Sequence, residues 1–375
     1  MTAAPHRVHG LALDQVAPDW PALTLAELAP LLARHPALGA PRAIAWHSPR
    51  PLSAAALVDC AHGRVFIKRH HRSVRDLDDL AEEHAFAQWL RGRGIPVPAV
   101  LADHAGHEAV PLGDWVYVVQ APADGLDLYR NTPSWVPLSR LDHARCMGAM
   151  LARVHAAAAG YAAPQRRTHI LVARSEIIEA CDPVAELAAQ LPRRPGLAAF
   201  LAARDWRGEL AGVFAPFHAR LQPQLAAQPR LWTHGDFYAA NLFWSGAAAV
   251  AQVTAVVDFG LCARTFALFD LATAIERSAI AWLQAGSDRA HVQVARALID
   301  GYRGVRALTA HELELLADLL PLVHVDFALS EVEYFHAITR SPDNARIAWD
   351  TFLRGHAAWF ATREGEDLRA AVRSV

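Results

Sequence analysis

Residues 231–260 constrain the fold of this chain more than any other stretch. They begin with LWTHGDFYAANLFW and end with VTAVVDFG. The apolar start predicts a strand that ends at His-Gly-Asp, and Asn241 follows Asp236 after four intervening residues. Beyond Asn241, a short hairpin leads to a second apolar strand that ends in Asp258. We therefore expect one compact site that holds two carboxylates and one amide.

These three side chains, at this spacing, suit the transfer of a phosphoryl group from a nucleotide. The reaction passes through a loose transition state, so the protein mainly positions groups and neutralises charge. Asp236 can face the acceptor hydroxyl as the catalytic base. Asp258 can hold Mg²⁺ across the phosphates, and the Asn241 amide oxygen can complete the metal shell, because Mg²⁺ prefers hard oxygen ligands. A lone HGD or DFG is more often a turn, so the prediction depends on finding both motifs together.

The segment HGDFYAANLFW resembles the catalytic loop of the aminoglycoside phosphotransferase and choline kinase superfamily, where HGD-x4-N replaces the HRD-x4-N of protein kinases. VVDFGLCARTFALFDLATAIER is similar to that family's metal-binding segment and following helix. The resemblance runs from about Ala43 to the C-terminal helices. It implies an α+β, two-lobed protein-kinase-like fold, with a small β-rich lobe containing one key helix and a larger, mainly helical lobe. We place the nucleotide-binding lobe at residues 1–122 and the catalytic and substrate-binding lobe at residues 123–375.

Lys68 lies in RVFIKRHHR, whose β-branched and aromatic residues predict a strand. The next segment, SVRDLDDLAEEHAFAQWL, has apolar residues at helical spacing and ends before Gly92. Kinases use this order of strand and helix to pair a lysine with a helix carboxylate, which directs the ammonium at the nucleotide phosphates. We predict that Lys68 contacts phosphate and that Glu83 is its partner, with Glu82 as the competing choice.

A GxGxxG loop is not evident, and Ser53, between two predicted strands, is a weaker candidate for a phosphate contact. The apolar strand at residues 115–120 leads into a turn containing Pro122. By similarity, this turn is the hinge that holds adenine with backbone groups, the carbonyl of Ala121 accepting and the amide of Ala123 donating. The resemblance thus implies ATP and Mg²⁺ as cofactors.

Other polar residues near the motifs have structural interpretations. We expect His234 to be a buried imidazole that bonds to backbone and holds the loop. Asp270 is expected to open the helix DLATAIERSAIAWL and to cap its free N–H groups. We expect Glu276 and Arg277 to form a solvated or paired helix face rather than to contact substrate.

The acceptor side is less specific. Only eleven residues separate Asp258 from Asp270, and no APE-type element follows, which favours a small acceptor over a docked peptide. Asp326 and Glu333, with Ser330 between them, share one face of a predicted helix and could attract an amine-bearing substrate. Aminoglycosides, homoserine-like amino alcohols, choline-like amines and sugars all remain open as acceptors. A protein Ser/Thr kinase of the bacterial stress-response type and a non-catalytic nucleotide-binding protein are the alternatives.

Composition excludes several other classes. The formal net charge of −2, from 36 basic and 38 acidic residues, gives no field that would recruit nucleic acid or an anionic membrane. No signal peptide or membrane span is predicted, and the four cysteines show no CxxC spacing, so we expect a cytoplasmic protein with inert thiols. The 20 histidines are scattered without an HExxH or Cys/His cluster, and a zinc site is not predicted.

Overall fold

The computed structural model describes residues 6–11, 14–248 and 251–375. The chain divides into two compact units. The first contains the residues up to Arg91 together with Pro96–Asp124, and the second contains Gly92–Ile95 together with Gly125–Val375. Within the described ranges, no helix is both long and apolar enough to cross a membrane.

The strands and helices of the first unit are β1 Val8–His9, β2 Gln15–Val16, α1 Leu25–Leu32, β3 Pro41–His47, β4 Ala54–Cys60, β5 Gly63–His71, α2 Leu77–Arg91, β6 Ala109–Leu112 and β7 Trp115–Gln120. Five of the strands form an antiparallel sheet in the order β3-β4-β5-β7-β6, and β1 pairs separately with β2. The predicted helix after Lys68 and the predicted strand at 115–120 are confirmed as α2 and β7.

The two faces of this sheet carry different side chains, because successive residues of a strand point to opposite faces. On one face, Val65 and Ile67 of β5 join a core with leucines of α1. On the other face, Val116 and Val118 of β7 pack with Leu80 of α2. The α2 face is where the sequence predicts a phosphate-binding lysine.

The second unit is mainly helical, with two small two-stranded sheets. Its elements are α3 Leu141–Ala158, α4 Glu176–Glu179, α5 Pro183–Gln190, α6 Pro195–Leu201, α7 Trp206–Phe214, α8 His218–Leu225, β8 Arg230–Thr233, β9 Leu242–Trp244, β10 Val253–Val256, β11 Ala263–Phe266, α9 Ala267–Ala279, α10 Val292–Arg303, α11 Ala310–Leu319, α12 Val325–Glu333, α13 Pro342–Ile347, α14 His356–Trp359 and α15 Arg363–Arg373. Two π-helical segments, Tyr334–Ile338 and Ala348–Gly355, extend α12 and precede α14.

Two antiparallel strand pairs position the motif residues. β9 and β10 form the predicted hairpin between Asn241 and Asp258. β8, which precedes His-Gly-Asp, pairs instead with β11, which follows Asp258. The hydroxyls of Thr233 and Thr265 lie 2.7 Å apart between β8 and β11 and tie the pair together. Both acidic motifs are therefore anchored on each side by short strands.

Helices α3 and α10 approach closely through two glycines. A Cβ atom added at Gly301 would lie 1.9 Å from the carbonyl oxygen of Arg145, and one added at Gly148 would lie 1.9 Å from that of Leu298. Both obstacles are backbone atoms, so a side-chain rotation cannot relieve them. The close packing of these two helices thus depends on the missing side chains.

We expect Gly301→Ala to lower the free energy of unfolding by about 3 kcal/mol or more, at the upper end of what overpacking costs. Urea unfolding of the purified protein measures the change. The control is Gly212→Ala in α7, where an added Cβ meets nothing within 4 Å and helix propensity favours alanine. Equal destabilisation by the two substitutions would contradict the close-packing interpretation.

Candidate active site

The loop after β8 brings Asp236 and Asn241 together. The Asn241 side-chain amide donates to the Asp236 carboxylate over 3.0 Å and to the Asp236 carbonyl over 2.9 Å. Because its NH₂ group is directed at Asp236, the Oδ1 atom of Asn241 is left as an oxygen ligand for a cation. The residue is 6% exposed, so the hydrogen bonds fix the orientation of the amide. This arrangement fits the predicted metal ligand.

Asp258 follows β10 with a backbone φ of +63°, a left-handed conformation that non-glycine residues seldom adopt and that costs energy. Its Oδ1 atom lies 3.4 Å from the Gly260 amide, which donates to it. A strained backbone that aims a carboxylate is typical of functional positions. Asp258, Asn241 and Asp236 all belong to the second unit and supply hard oxygen atoms, the donor set that fits Mg²⁺.

The Asp236 carboxylate is largely buried, with 13% of its side chain exposed, and it faces charges of both signs. Burial raises its pKa above the ordinary value, the guanidinium of Arg277 opposes that shift, and the charge of Asp258 adds to it. The net direction is upward, so Asp236 holds a proton more readily than an ordinary aspartate does.

Arg277 of α9 contacts the candidate base Asp236, a pairing that the sequence does not predict. Its guanidinium lies 3.0 Å from the Asp236 carboxylate and 4.4 Å from the ring centre of Tyr238. The sequence predicts that Arg277 lies on a solvated or paired helix face. In the structure Arg277 is buried, and it pairs with Asp236, the candidate base. Arg277 lies two helical turns after Asp270, and this spacing could have placed it on the same helix face as that residue.

His234 has the structural role that the sequence predicts. Its ring is fully buried, with Nε2 3.0 Å from the Val257 carbonyl and Nδ1 3.2 Å from the Asp236 amide. Nε2 therefore carries the proton and donates to Val257, while Nδ1 accepts from Asp236. The imidazole links the loop after β8 to the end of β10.

Asp270 also has a structural role, but the prediction that it caps the free N–H groups of its own helix is wrong. Helix α9 begins at Ala267, directly after β11, so Asp270 does not cap its first turn. Instead its carboxylate accepts from the amides of His234 and Gly235, both over 2.9 Å, and lies 3.1 Å from His155 Nε2. Burial acts to raise the pKa of Asp270, but the hydrogen bond and charge of His155, with smaller contributions that include the Gly235 amide, outweigh it and lower the pKa. Asp270 thus anchors the loop that carries Asp236.

Gly235 gives this anchor its geometry. Its φ of +75° turns the chain between His234 and Asp236, a conformation that glycine adopts without strain. A Cβ atom here would lie 2.6 Å from the Leu261 carbonyl oxygen. The His-Gly-Asp motif therefore needs glycine for both conformation and space.

The predicted nucleotide residues lie in the first unit. Lys68 pairs across the sheet with Val118, which places it on the α2 face. Glu83 lies one turn after Leu80 and is 7% exposed, whereas Glu82 is more exposed, so the burial pattern favours Glu83 for that face. The role of this pair in binding phosphate stays a prediction.

The other two predicted nucleotide contacts are at strand ends. Ser53 occupies the loop directly before β4. Ala121 and Ala123 follow β7, and the Ala121 amide donates to the Ala99 carbonyl over 2.9 Å. Because the Ala121 amide already donates to Ala99, Ala121 can contribute to adenine recognition only through its carbonyl, which is the role predicted from the sequence. These roles also stay predictions.

The acidic stripe on α12 is buried instead of open. Glu333 accepts from Arg194 over 2.8 Å, and both side chains are almost fully buried. Burial raises the pKa of Asp326 well above its usual value, with the charge of Glu176 adding to the effect. This face therefore offers less negative charge than the sequence predicts, and the substrate role of Asp326 and Glu333 stays a prediction.

The fold and the Asp-Asn-Asp site together define a kinase-type phosphotransferase. The chain belongs to the phosphotransferase enzyme family, whose model matches residues 52–308. It is 27% identical over 247 residues to a homoserine kinase of Gluconobacter oxydans strain 621H, covering 65% of this chain and 68% of that one. The predicted membership in this family is thus confirmed, and the protein is an enzyme that phosphorylates an alcohol group.

Two solved structures share the fold at low sequence identity. One is amicoumacin kinase hAmiN in complex with AMP-PNP, Ca²⁺ and Ami, at 13% identity and a TM-score of 0.54, covering 90% of this chain and 89% of that one. The other is a microcompartment-associated aminopropanol kinase, at 17% identity and a TM-score of 0.53, covering 89% and 99%. The predicted kinase-like α+β fold is confirmed.

Proposed function

We propose that this protein transfers the γ-phosphate of ATP to a hydroxyl group of a small-molecule acceptor, with Mg²⁺ as the metal. The observation that carries the proposal is the buried Asp236 carboxylate, which lies 3.0 Å from the Asn241 amide and 3.0 Å from the Arg277 guanidinium. A buried carboxylate held from two sides is positioned to accept a proton from one bound hydroxyl. Amino alcohols are the first acceptors to test, since similar proteins bear the names homoserine kinase and aminopropanol kinase.

In this proposal each residue has one role. Asp236 accepts the proton of the acceptor hydroxyl, and Arg277 holds that carboxylate in place. Asn241 and Asp258 would hold Mg²⁺, which when bound neutralises charge on the phosphates. Aminoglycoside-like compounds and sugars are the further acceptor classes.

The nucleotide is assigned to residues of the first unit. Lys68, oriented by Glu83, would contact its phosphates, with Ser53 as a further contact. The Ala121 carbonyl and the Ala123 amide would hold adenine. Main-chain groups can read the edge of a base without special side chains, so two alanines suffice for this task.

The connection after Asp258 supports a small acceptor over a protein. It runs through β11, which pairs with β8 over residues 230–233, and then directly into α9. In protein kinases the corresponding region is a longer segment that supports a docked peptide. We further propose the cytoplasm as the location, since all four cysteines are free thiols.

The test is transfer of labelled γ-phosphate from Mg-ATP to homoserine, aminopropanol, kanamycin and a hexose, each offered separately, followed by a cell extract separated into metabolites and protein. We expect label on one small molecule, with the amino alcohols favoured. Label confined to protein would overturn the small-molecule proposal in favour of a protein kinase. Mg-ATP binding without transfer to any acceptor would favour a non-catalytic protein.

Asp258→Asn tests the metal assignment. We expect the Mg²⁺ concentration for half-maximal rate to rise by about tenfold or more, because an ionised oxygen ligand is lost. A Mg²⁺ titration at saturating ATP measures it. The matched control is Asp288→Asn, an exposed aspartate whose φ of +66° is also left-handed, so backbone effects of the same exchange are shared. An unchanged Mg²⁺ requirement in Asp258→Asn would remove this residue from the metal site.

A further inference from the structure

Three buried side chains from separate segments converge beside the active-site helix. Glu276 is on α9, His324 directly precedes α12, and His356 begins α14. Glu276 Oε1 lies 3.3 Å from Nδ1 of His356 and 3.8 Å from Nδ1 of His324. One ligand atom from each residue lies within 4.8 Å of the others. This cluster is separate from the Asp236, Asn241 and Asp258 side chains.

Several buried polar atoms of the cluster have no hydrogen-bond partner within the described part of the chain. Both carboxylate oxygens of Glu276 and the Nδ1 atom of His356 are buried. Among the described residues, none of these three atoms makes a hydrogen bond. Burying a carboxylate without hydrogen bonds is costly, so a native structure normally satisfies it with a further group. Oε1 and Nδ1 lie 3.3 Å apart, close enough for both to bind one metal ion.

The spacing matches the coordination of a metal ion. Two ligands of a tetrahedral zinc ion lie roughly 3.3–3.4 Å apart, since each metal–ligand bond is about 2.0–2.1 Å. The 3.3 Å between Glu276 Oε1 and His356 Nδ1 already has this value, whereas the 3.8 Å between Glu276 Oε1 and His324 Nδ1 is about 0.4 Å longer. Two imidazoles and one carboxylate form a donor set that zinc and related divalent metals use.

The surroundings hold the two rings in place. The His356 ring stacks on Trp282 with ring centres 3.7 Å apart. The Nε2 atom of His324, on the side away from Glu276, lies 3.8 Å from a carboxylate oxygen of Glu331. A carboxylate behind a histidine ligand orients the ring and strengthens the metal bond.

We propose that Glu276, His324 and His356 bind one divalent transition-metal ion, with Glu331 behind His324 as a supporting carboxylate. The three residues lie 48 and 32 positions apart (324 − 276 and 356 − 324). These separations match no known metal-binding motif, so the sequence predicts no zinc site. The ion would fasten α9 to α12 and α14 at the residue next to Arg277. Its role is thus to hold the helix that supports the catalytic carboxylate, separate from the Mg²⁺ of the reaction.

The test uses the full-length protein, stripped with chelator and titrated with Zn²⁺ in the absence of nucleotide, with bound metal counted by elemental analysis after desalting. We expect one zinc per chain in the wild type and a loss of at least tenfold in affinity for Glu276→Gln and for His356→Gln. Glu331→Gln is expected to weaken binding by about tenfold, the lower end of such effects. Substitution with Co²⁺ should give the visible absorption of a four-coordinate site.

Two controls exclude other zinc sites. His336→Asn changes a histidine that packs on Phe200 outside the cluster, and Asp258→Asn removes a ligand of the proposed Mg²⁺ site; both should keep one zinc. Circular dichroism and thermal unfolding establish that each variant is folded. No stoichiometric zinc in the folded wild type, or equal affinity in the wild type and in folded Glu276→Gln, would overturn the proposal. None of these readouts needs activity, so the proposal can fail independently of the proposed function.

Discussion

Asp236→Asn is expected to lower kcat by roughly 10²–10⁴-fold, the usual contribution of a general base, while ATP binding stays within about twofold of wild type. Asparagine has the same shape and can still accept the hydrogen bond from Asn241, but it cannot take a proton from the acceptor. Steady-state kinetics with the best acceptor and calorimetric titration of ATP measure the two quantities. Together they separate chemistry from binding.

The control for this variant is Asp343→Asn, the same exchange at an exposed position on α13. It should leave kcat unchanged. In the wild type, burial raises the pKa of Asp236, so the rate should fall with decreasing pH already above the ordinary range of an aspartate. A pH profile of kcat/KM measures this limb. Near-normal turnover in Asp236→Asn would show that Asp236 is not the base.

The second large effect is expected at Asp270. Asp270→Ala should lower the free energy of unfolding by about 3–5 kcal/mol, the range found when a buried charge loses its partner. The substitution leaves the amides of His234 and Gly235 without their acceptor and removes the partner of His155. Asp270→Asn should cost less, because one oxygen can still accept. Urea unfolding measures both variants.

The pH dependence of this loss has a defined sign. The pKa of Asp270 is lower in the folded than in the unfolded protein. Its contribution to stability is therefore fully present above the unfolded value of about 3.9 and is lost as the pH falls through the folded value. The difference between wild type and Asp270→Asn should shrink in acid. Asp182→Asn, an exposed helix cap where asparagine serves equally well, is the control, and an equal loss of stability there would contradict the anchor role.

Local patterns in the sequence predicted the elements that carry the active site. The strand at 115–120, the helix that begins at Leu77 and the hairpin between Asn241 and Asp258 all follow from periodicity and turn residues over short distances. The orientation of Asn241 follows from its spacing to Asp236, since both are on one loop. These features could be predicted because neighbours in sequence determine them.

Features that depend on tertiary packing could not be predicted this way. Arg277 can pair with Asp236 only because α9 lies against the loop after β8. Local sequence patterns do not show that these two distant segments are in contact. The start of α9 at Ala267 made the expected cap at Asp270 wrong. On α12, a polar helix face usually meets water, but here it is buried by other helices, so the expected open acidic stripe is not observed.

The pairing of β11 with β8 has a consequence for both acidic motifs at once. The chain between Asp258 and α9 is held in register with the strand before the catalytic motif, by backbone bonds and by Thr233 and Thr265. These contacts fix the position of this segment relative to the loop that carries Asp236. A substitution that breaks the pairing of β8 with β11 is therefore expected to disturb both acidic motifs together.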